Sequence, residues 1–475
     1  MNWFCRRLLC LGCFICLLSV KAWSQLQLTL DEFLSMTLNE DADAMKLIDT
    51  QASINQIEYV LSYKSFLPNL SLSLNGPSYT KTISPITQPD GTVCYRRVNN
   101  MNESLSIGFS MPINYTGGSL SLQSSISAYE HFANGESTKS ISMNYYRLSL
   151  SQPLSFYSEN KWGKRLLKYS QRQKMIENMD AYADEKTECV RLFFSLVICQ
   201  YKDSILKREL DFYEKLKARI IYELNIGRTI ETELDEVELK CQELKVYISD
   251  NENDKMGKMR MASSQYGIAI DNIFLFESPD FPSLECNIDS AVTLSLAKLD
   301  AQYAYSSENQ NKNIEKLKRS KWGTPSLSVN MGLSSSTTNF DDLKNQIGKD
   351  YGAGINFSIS ITGLSSSRNE IKKAMLQKEH LQIAQKLQSE RLMFELQDDY
   401  SRYNSLKTTY QNNKSRELML QKKLEAFMDK YRLHHVLFDD VEEVLSKLSQ
   451  VRISLIENVR DAFLLKCNIE KKITY

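Results

Sequence analysis

From Ser158 to about Ile226 the chain contains no proline, and its apolar residues fall at Ile176, Met179, Ala183, Val190, Phe193 and Val197, at spacings of three, four and seven. That is coiled-coil spacing. A continuous helix of about 68 residues, rising 1.5 Å at each, is on the order of 100 Å long, whereas helices in globular domains average about 10 to 14 residues. No ordinary globular core covers such a helix, so it has to lie beside others. The sequence supplies them at 229–270, 365–430 and from 439 to the C-terminus, the last with Val441, Leu445, Leu448, Leu455, Val459 and Ala462 in the same pattern. A strict seven-residue repeat imposes left-handed supercoiling.

Between the helices lie segments of the opposite periodicity. Leu30-Asp31-Glu32-Phe33-Leu34 opens a helical stretch that runs to about Phe66; Pro68 stops it, and Leu70, Leu72 and Leu74 then alternate with serine. The same order returns as a helix over 289–319, then Pro325, then Leu327-Ser328-Val329, so Pro68 and Pro325 mark equivalent corners of a duplicated chain. Up to Phe156, period-2 runs at 104–112, 118–129 and 140–153 are separated by turn formers at 114–118 and at Asn134-Gly135. In the second half, strands are predicted at 326–333 and 351–361. Alternating faces with tyrosines near the strand ends suit a lipid-facing barrel, because aromatic rings favour the interface. A soluble β-sandwich insertion has the same period and stays open on pattern alone. Pro279 and Pro282, in an irregular stretch over 271–288, mark a linker or a small collar between the halves.

The N-terminus fixes the compartment. Arg6 and Arg7 precede an uncharged apolar run from Leu8 to Val20, and Ala22-Trp23-Ser24 offers a cleavage site before Gln25. This reads as a secretory signal peptide, since about 13 apolar residues fall short of the roughly 20 that span a bilayer as a helix. Cys5, Cys10, Cys13 and Cys16 leave with it. Cys94, Cys189, Cys199, Cys241, Cys286 and Cys467 are too scattered for a disulfide scaffold in a chain of this size, so free buried thiols are expected, with a stray bridge as the alternative. Formal charge balances at zero, which gives nucleic acid no electrostatic footprint. No later run approaches 18 apolar residues, so any membrane crossing after export has to be a closed β-barrel.

Catalytic chemistry is hard to place. The histidines are His131, His380, His434 and His435, and neither a His-Glu-x-x-His metal motif nor a Gly-x-x-x-x-Gly-Lys phosphate loop occurs. Adjacent residues on a helix point apart, which argues against His434-His435 as a metal or pH-sensing pair. Gly352-Ala353-Gly354 lies in a predicted strand with no phosphate-binding helix after it, and reads as a site of close strand packing. The expectation is a protein that is not an enzyme and needs no cofactor or metal.

The order of these segments resembles the TolC outer-membrane efflux family over nearly the whole mature chain. Phe66-Leu67-Pro68-Asn69-Leu70-Ser71-Leu72, Leu150-Ser151-Gln152-Pro153-Leu154 before the first long helix, and Tyr222-Glu223-Leu224-Asn225-Ile226-Gly227-Arg228-Thr229 at the first hairpin tip carry the resemblance. It implies an α+β membrane protein with long α-helical coiled-coil hairpins, and β-strands contributed to a trimeric transmembrane β-barrel, in two internal repeats. The boundaries expected are a signal peptide over 1–24, a periplasmic helix over 25–66, and barrel strands with extracellular loops over 67–157. A long hairpin follows over 158–270 with its tip near 225–230, then a linker or equatorial segment over 271–288. The second repeat supplies a helix over 289–324, strands over 325–363 and a hairpin over 364–475 with its tip near 432–438. The family contributes two strands per half, whereas the first half here shows four candidates, making the hairpin around Gly117-Gly118 extra.

The function implied is that of a passive duct in the cell outer membrane, leading from periplasm to exterior in a tripartite efflux or type I secretion system. Its partners would be two further copies of itself, outer-membrane lipid, and a periplasmic adaptor (membrane fusion protein) and inner-membrane pump. Gly227, Arg228, His434 and His435 would form the tips on which they dock. By the same resemblance Asp440 and Glu443 match an acidic pair at the pore constriction, Tyr431 matches a gate tyrosine, and Thr232 and Glu233 match its partners. The family's glycine at the second tip is His434 here and its gate base falls on Val436, with Arg432 close enough in sequence to substitute. Independently of any family, residues three apart share a helix face, so threefold symmetry would gather six carboxylates from Asp440 and Glu443 about one axis, favouring cations and raising some of the pKa values by crowding. The competing reading is a helix N-terminus, where Asp439, Asp440, Glu442 and Glu443 complement the dipole. The competing function is a structural coiled-coil or adhesin-like surface protein with no conducting lumen.

Overall fold

The computed structural model describes residues 27–133, 136–155, 157–226, 231–267, 275–320, 325–357, 361–432, 435–436 and 438–474. The apolar leader, the Asn134-Gly135 turn, Gly227, Arg228 and His434 lie outside the described residues. The chain divides into two compact units, one comprising Met1–Ala52, Ile176–Leu299 and Ser389–Tyr475, the other Ser53–Met175 and Asp300–Gln388. Among the described residues no helix is long and apolar enough to cross a membrane.

The first unit is helical. Helix α1 (Leu30–Thr37) opens on a capping box, in which the Thr29 hydroxyl accepts from the Glu32 N–H and the Glu32 carboxylate accepts from the Thr29 N–H. The single helical stretch predicted from Leu30 to Phe66 is two helices, because α1 ends at Thr37, with Leu38 as its C-cap, and α2 (Asp43–Lys64) begins only after Asn39-Glu40-Asp41. Asn and Asp bond to nearby backbone and so favour turns, and the Ala42 N–H donates back to the Asn39 carbonyl at 3.0 Å. Helix α3 (Glu159–Asn225) is buried on nearly every face between Cys189 and Cys199, where it forms the centre of the core. There Phe193 meets Phe33, Phe194 and Phe276 at centroid distances of 5.4, 5.6 and 5.9 Å.

The irregular stretch between the halves is pinned to this core. Strand β1 (Gln27–Leu28) pairs in parallel with β6 (Leu275–Phe276), and the Gln200 amide brackets Phe276, donating to its carbonyl at 3.0 Å and accepting from its N–H at 2.9 Å. The Tyr403 hydroxyl donates to the Pro282 carbonyl at 2.6 Å, and the Phe281 ring packs at a tilt against Tyr403 and Tyr410. Helix α4 (Glu231–Tyr266) follows α3, and α7 (Phe438–Ile473) follows α6 (Ile361–Arg432). On α7 the buried positions are Val441, Val444, Leu448, Val451, Ile456, Val459, Ala462, Cys467 and Ile469, while Leu445 and Leu455 are half-buried, so the packed stripe is broader than the predicted one. Among the described residues the six cysteines are free thiols, and Cys189, Cys199, Cys241 and Cys467 are buried.

The second unit holds a six-stranded antiparallel sheet in the order β2-β3-β4-β5-β7-β8. The first half of the chain supplies β2 (Asn69–Thr87), β3 (Val93–Pro112), β4 (Ser119–Ala133) and β5 (Glu136–Pro153). After α5 (Ile288–Ser320) the second half supplies β7 (Ser326–Thr337) and β8 (Gly348–Asn356). Strand β2 runs well past the Leu70–Leu74 alternation, crossing Gly76-Pro77 by a register shift between Asn75 and Ser78. An outer strand tolerates proline there because a bulge needs no ladder donor. Strand β8 starts before and stops short of the predicted 351–361, its span being set by pairing with β7 from Ser326–Asn356 to Ser334–Gly348.

Candidate functional site

The register of the sheet sorts most of its side chains, with Glu103, Ser124, Ser335 and Lys349 as exceptions on the apolar face. One rung across all six strands reads Leu70, Phe109, Leu122, Leu148, Met331 and Tyr351; the next reads Ser71, Gly108, Gln123, Arg147, Gly332 and Asp350. Successive residues of a strand point to opposite faces, so one face of the sheet is apolar and the other is serine, asparagine and glycine. Leu70, Leu72 and Leu74 are 70, 72 and 76 % exposed, leaving the apolar face bare within this chain. The apolar band on β4 runs from Leu120 to Ala128, and where it ends Glu130 pairs with Lys139 at 3.7 Å on the same face. A tilted strand needs about 9 to 11 residues to span the hydrocarbon core, with polar groups beginning at its edge, and this band has that length.

The turn between β3 and β4 is tied to the start of α3. Gly117 sits at φ +77°, and a Cβ there would lie 2.5 Å from the Tyr157 carbonyl oxygen. The Ser158 hydroxyl donates to the Asn114 carbonyl at 2.6 Å while accepting from the Lys161 N–H at 3.1 Å, so one side chain caps α3 and anchors the turn. Thr116 donates its hydroxyl to the Gln152 Oε1 at 2.6 Å, and the Gln152 amide donates to the Thr116 carbonyl at 3.0 Å. Among the described residues β2 and β8 each have a strand partner on one side only.

At the other candidate site, the ends of α3, α4, α6 and α7, a small core gathers Tyr213, Leu216, Ile220, Val237, Cys241 and Leu244, with Tyr431 packed against it from α6. The Arg219 guanidinium lies over the Tyr431 ring, 5.2 Å from its centroid, and is held there by Glu223 at 2.7 Å. Burial pushes the Tyr431 phenol up; the Arg219 charge opposes this, and Glu223 and Glu233 add to it. Glu233 thus acts on Tyr431, whereas Thr232 is exposed on the first turn of α4. A base at Tyr431 is Arg219, which sequence reasoning missed; its signal was the spacing of four from Glu223. The Arg432 side chain lies outside what is described.

Helix α7 separates its acids. Val441, Val444 and Leu448 are buried, which turns Asp440 and Glu443 outward together on one exposed stripe. Glu443 is in contact with Lys447, one turn along, and this bond holds its carboxyl below the usual range. Glu442 faces inward instead, pairing with Lys240 at 3.3 Å and accepting from the Tyr213 hydroxyl. Burial and that carboxylate push the Tyr213 phenol up. His435 is exposed, and its N–H closes the end of α6 by donating to the Lys430 carbonyl at 3.0 Å, the six-residue bond common at helix C-termini.

No protein-family profile and no curated protein matches the sequence. The fold answers where sequence comparison does not: long helical hairpins joined to a two-faced antiparallel sheet, in a duplicated chain, make the α+β fold of the TolC-type outer-membrane channels. Among solved structures, the outer-membrane channel CmeC of Campylobacter jejuni superposes with a TM-score of 0.67 at 13 % identity, covering 94 % of this chain and 85 % of its own. The outer-membrane protein VceC of Vibrio cholerae gives 0.67 at 10 % identity over 94 % and 95 % of the two chains. The open state of the MtrE outer-membrane channel of Neisseria gonorrhoeae gives 0.61 at 10 % identity over 94 % and 88 %.

Proposed function

We propose that this chain is the subunit of a homotrimeric export duct of the cell outer membrane, passive in itself and gated at the periplasmic ends of its helices. The observation that carries this reading is the two-faced sheet. Its bare apolar face is stable only against lipid, its serine face only against water, and its unpaired edges only against further strands, three needs that a membrane barrel built from several copies meets together. The neighbouring folds, among them the outer-membrane channels CmeC and MtrE, support the same reading.

At the helix ends, Asp440 and Glu443 form the acidic constriction, with Lys447 offsetting part of its charge. Tyr431, bracketed by Arg219 and Glu233, forms the gate contact, and the tips at Gly227, Arg228, His434 and His435 receive a periplasmic adaptor and, through it, an inner-membrane pump. Single-channel recording of the purified protein in a planar bilayer tests the duct. Stepwise conductance is expected, and Asp440→Ala with Glu443→Ala should weaken blockage by multivalent cations. A protein that never conducts, even with both acids removed, would be a structural surface protein instead; conduction with unchanged blockage would return the two acids to helix-dipole partners.

A further inference from the structure

We propose that three copies close an eighteen-stranded barrel by pairing β8 of each chain with β2 of the next, giving a wide, hydroxyl-lined and charge-balanced pore. This rests on the duct reading and goes beyond it in the number of strands and in what the pore would admit. Strands β2 and β8 are the outer members of a six-stranded antiparallel sheet, and an even count makes them run in opposite directions. Repeating the sheet head to tail therefore keeps every pair antiparallel, and such a heterologous contact closes into a ring. Bringing Asn356 level with Asn69, the two ends next to the helices, sets the nine residues of β8 against the first half of β2. Pro85 of β2 lies beyond that reach and Pro77 sits at the bulge, so neither proline has to donate to the new ladder.

The two strands beyond the family's usual complement are part of the wall. Strands β3 and β4 pair along most of their length on both sides, and the turn joining them is bonded to Gln152 and Ser158. Strands about 4.8 Å apart and tilted by about 40° enclose a circle about 36 Å across when eighteen close together, against about 24 Å for twelve. Barrels of that larger size leave an aqueous channel. Within the band the polar face carries one cation and one anion, Arg147 and Asp350, which flank Gly332 in a single rung. The wall is otherwise hydroxyl and amide, so it fits bulky hydrophilic solutes and sorts them little by charge, leaving selection to the helix ends.

Electron cryomicroscopy of the full chain in lipid nanodiscs counts the strands, and native mass spectrometry counts the chains. Three chains with eighteen strands is the expected result. Twelve strands, whether from two chains or from three that leave β3 and β4 outside the wall, overturns the proposal; conductance in the same preparation would leave the duct intact, and its absence would remove both. A variant lacking residues 93–133 provides a second readout. Neutral polymers added on the outer side should enter the full-length pore at a radius that the variant excludes, and an equal cut-off for the two would count against the extra strands as wall.

Discussion

The Arg219 guanidinium stacked on the Tyr431 ring gives the second hairpin a polar hold on the first, and Glu223 keeps the guanidinium in that pose. A cation over an aromatic face contributes about 0.5 to 1 kcal/mol where partly solvated. A double-mutant cycle with Arg219→Gln and Tyr431→Leu should return a coupling energy of that size from thermal or denaturant unfolding, and an additive pair would mean the two only happen to be neighbours. The cycle also separates Tyr431 from Thr232, whose substitution by valine should leave the coupling unchanged. That Asp440 and Glu443 share a face of α7 was legible from their spacing of three, whereas the direction Glu442 takes was not. Burial of Val441 and Val444 decides that Glu442 turns toward Lys240 while Asp440 and Glu443 face out.

Among the elements, the β3–β4 hairpin has the sharpest local requirement. Its Gly117 combines a left-handed backbone with a carbonyl oxygen 2.5 Å from where a Cβ would stand. The left-handed region costs a residue with a side chain about 1 to 2 kcal/mol, and the clash adds to it by forcing the turn away from Tyr157 and Ser158. Gly117→Val should therefore lower the fraction of protein that reaches a heat-stable assembly, read by electrophoresis of unheated samples. Gly91→Ala, at φ +82° but with nothing within 4 Å of its Cβ, should cost the backbone part alone. The long helices were readable from their spacing, which needs no partner elsewhere in the chain. The break between α1 and α2 was missed because one short interruption leaves the apolar period almost intact on either side.

For the whole molecule, the division of labour between wall and helix ends makes a measurable claim about ions. The wall's Arg147 and Asp350 cancel, whereas Asp440 and Glu443 outnumber Lys447 on their exposed stripe. In a salt gradient the reversal potential should indicate cation preference, shift toward zero with Asp440→Asn and Glu443→Gln, and move little with Arg147→Gln paired with Asp350→Asn. The sequence by itself determined the kinds of element, the duplication and the two-faced character of the strands, because helix and strand periods are written in the spacing of apolar residues and need no distant partner. Only the tertiary structure decided which strands lie side by side, that among the described residues the outer edges of the six-stranded sheet carry no further strand, and that Arg219 reaches Tyr431. Those are contacts between residues far apart in sequence, fixed by the packing of whole faces, and no local pattern encodes them.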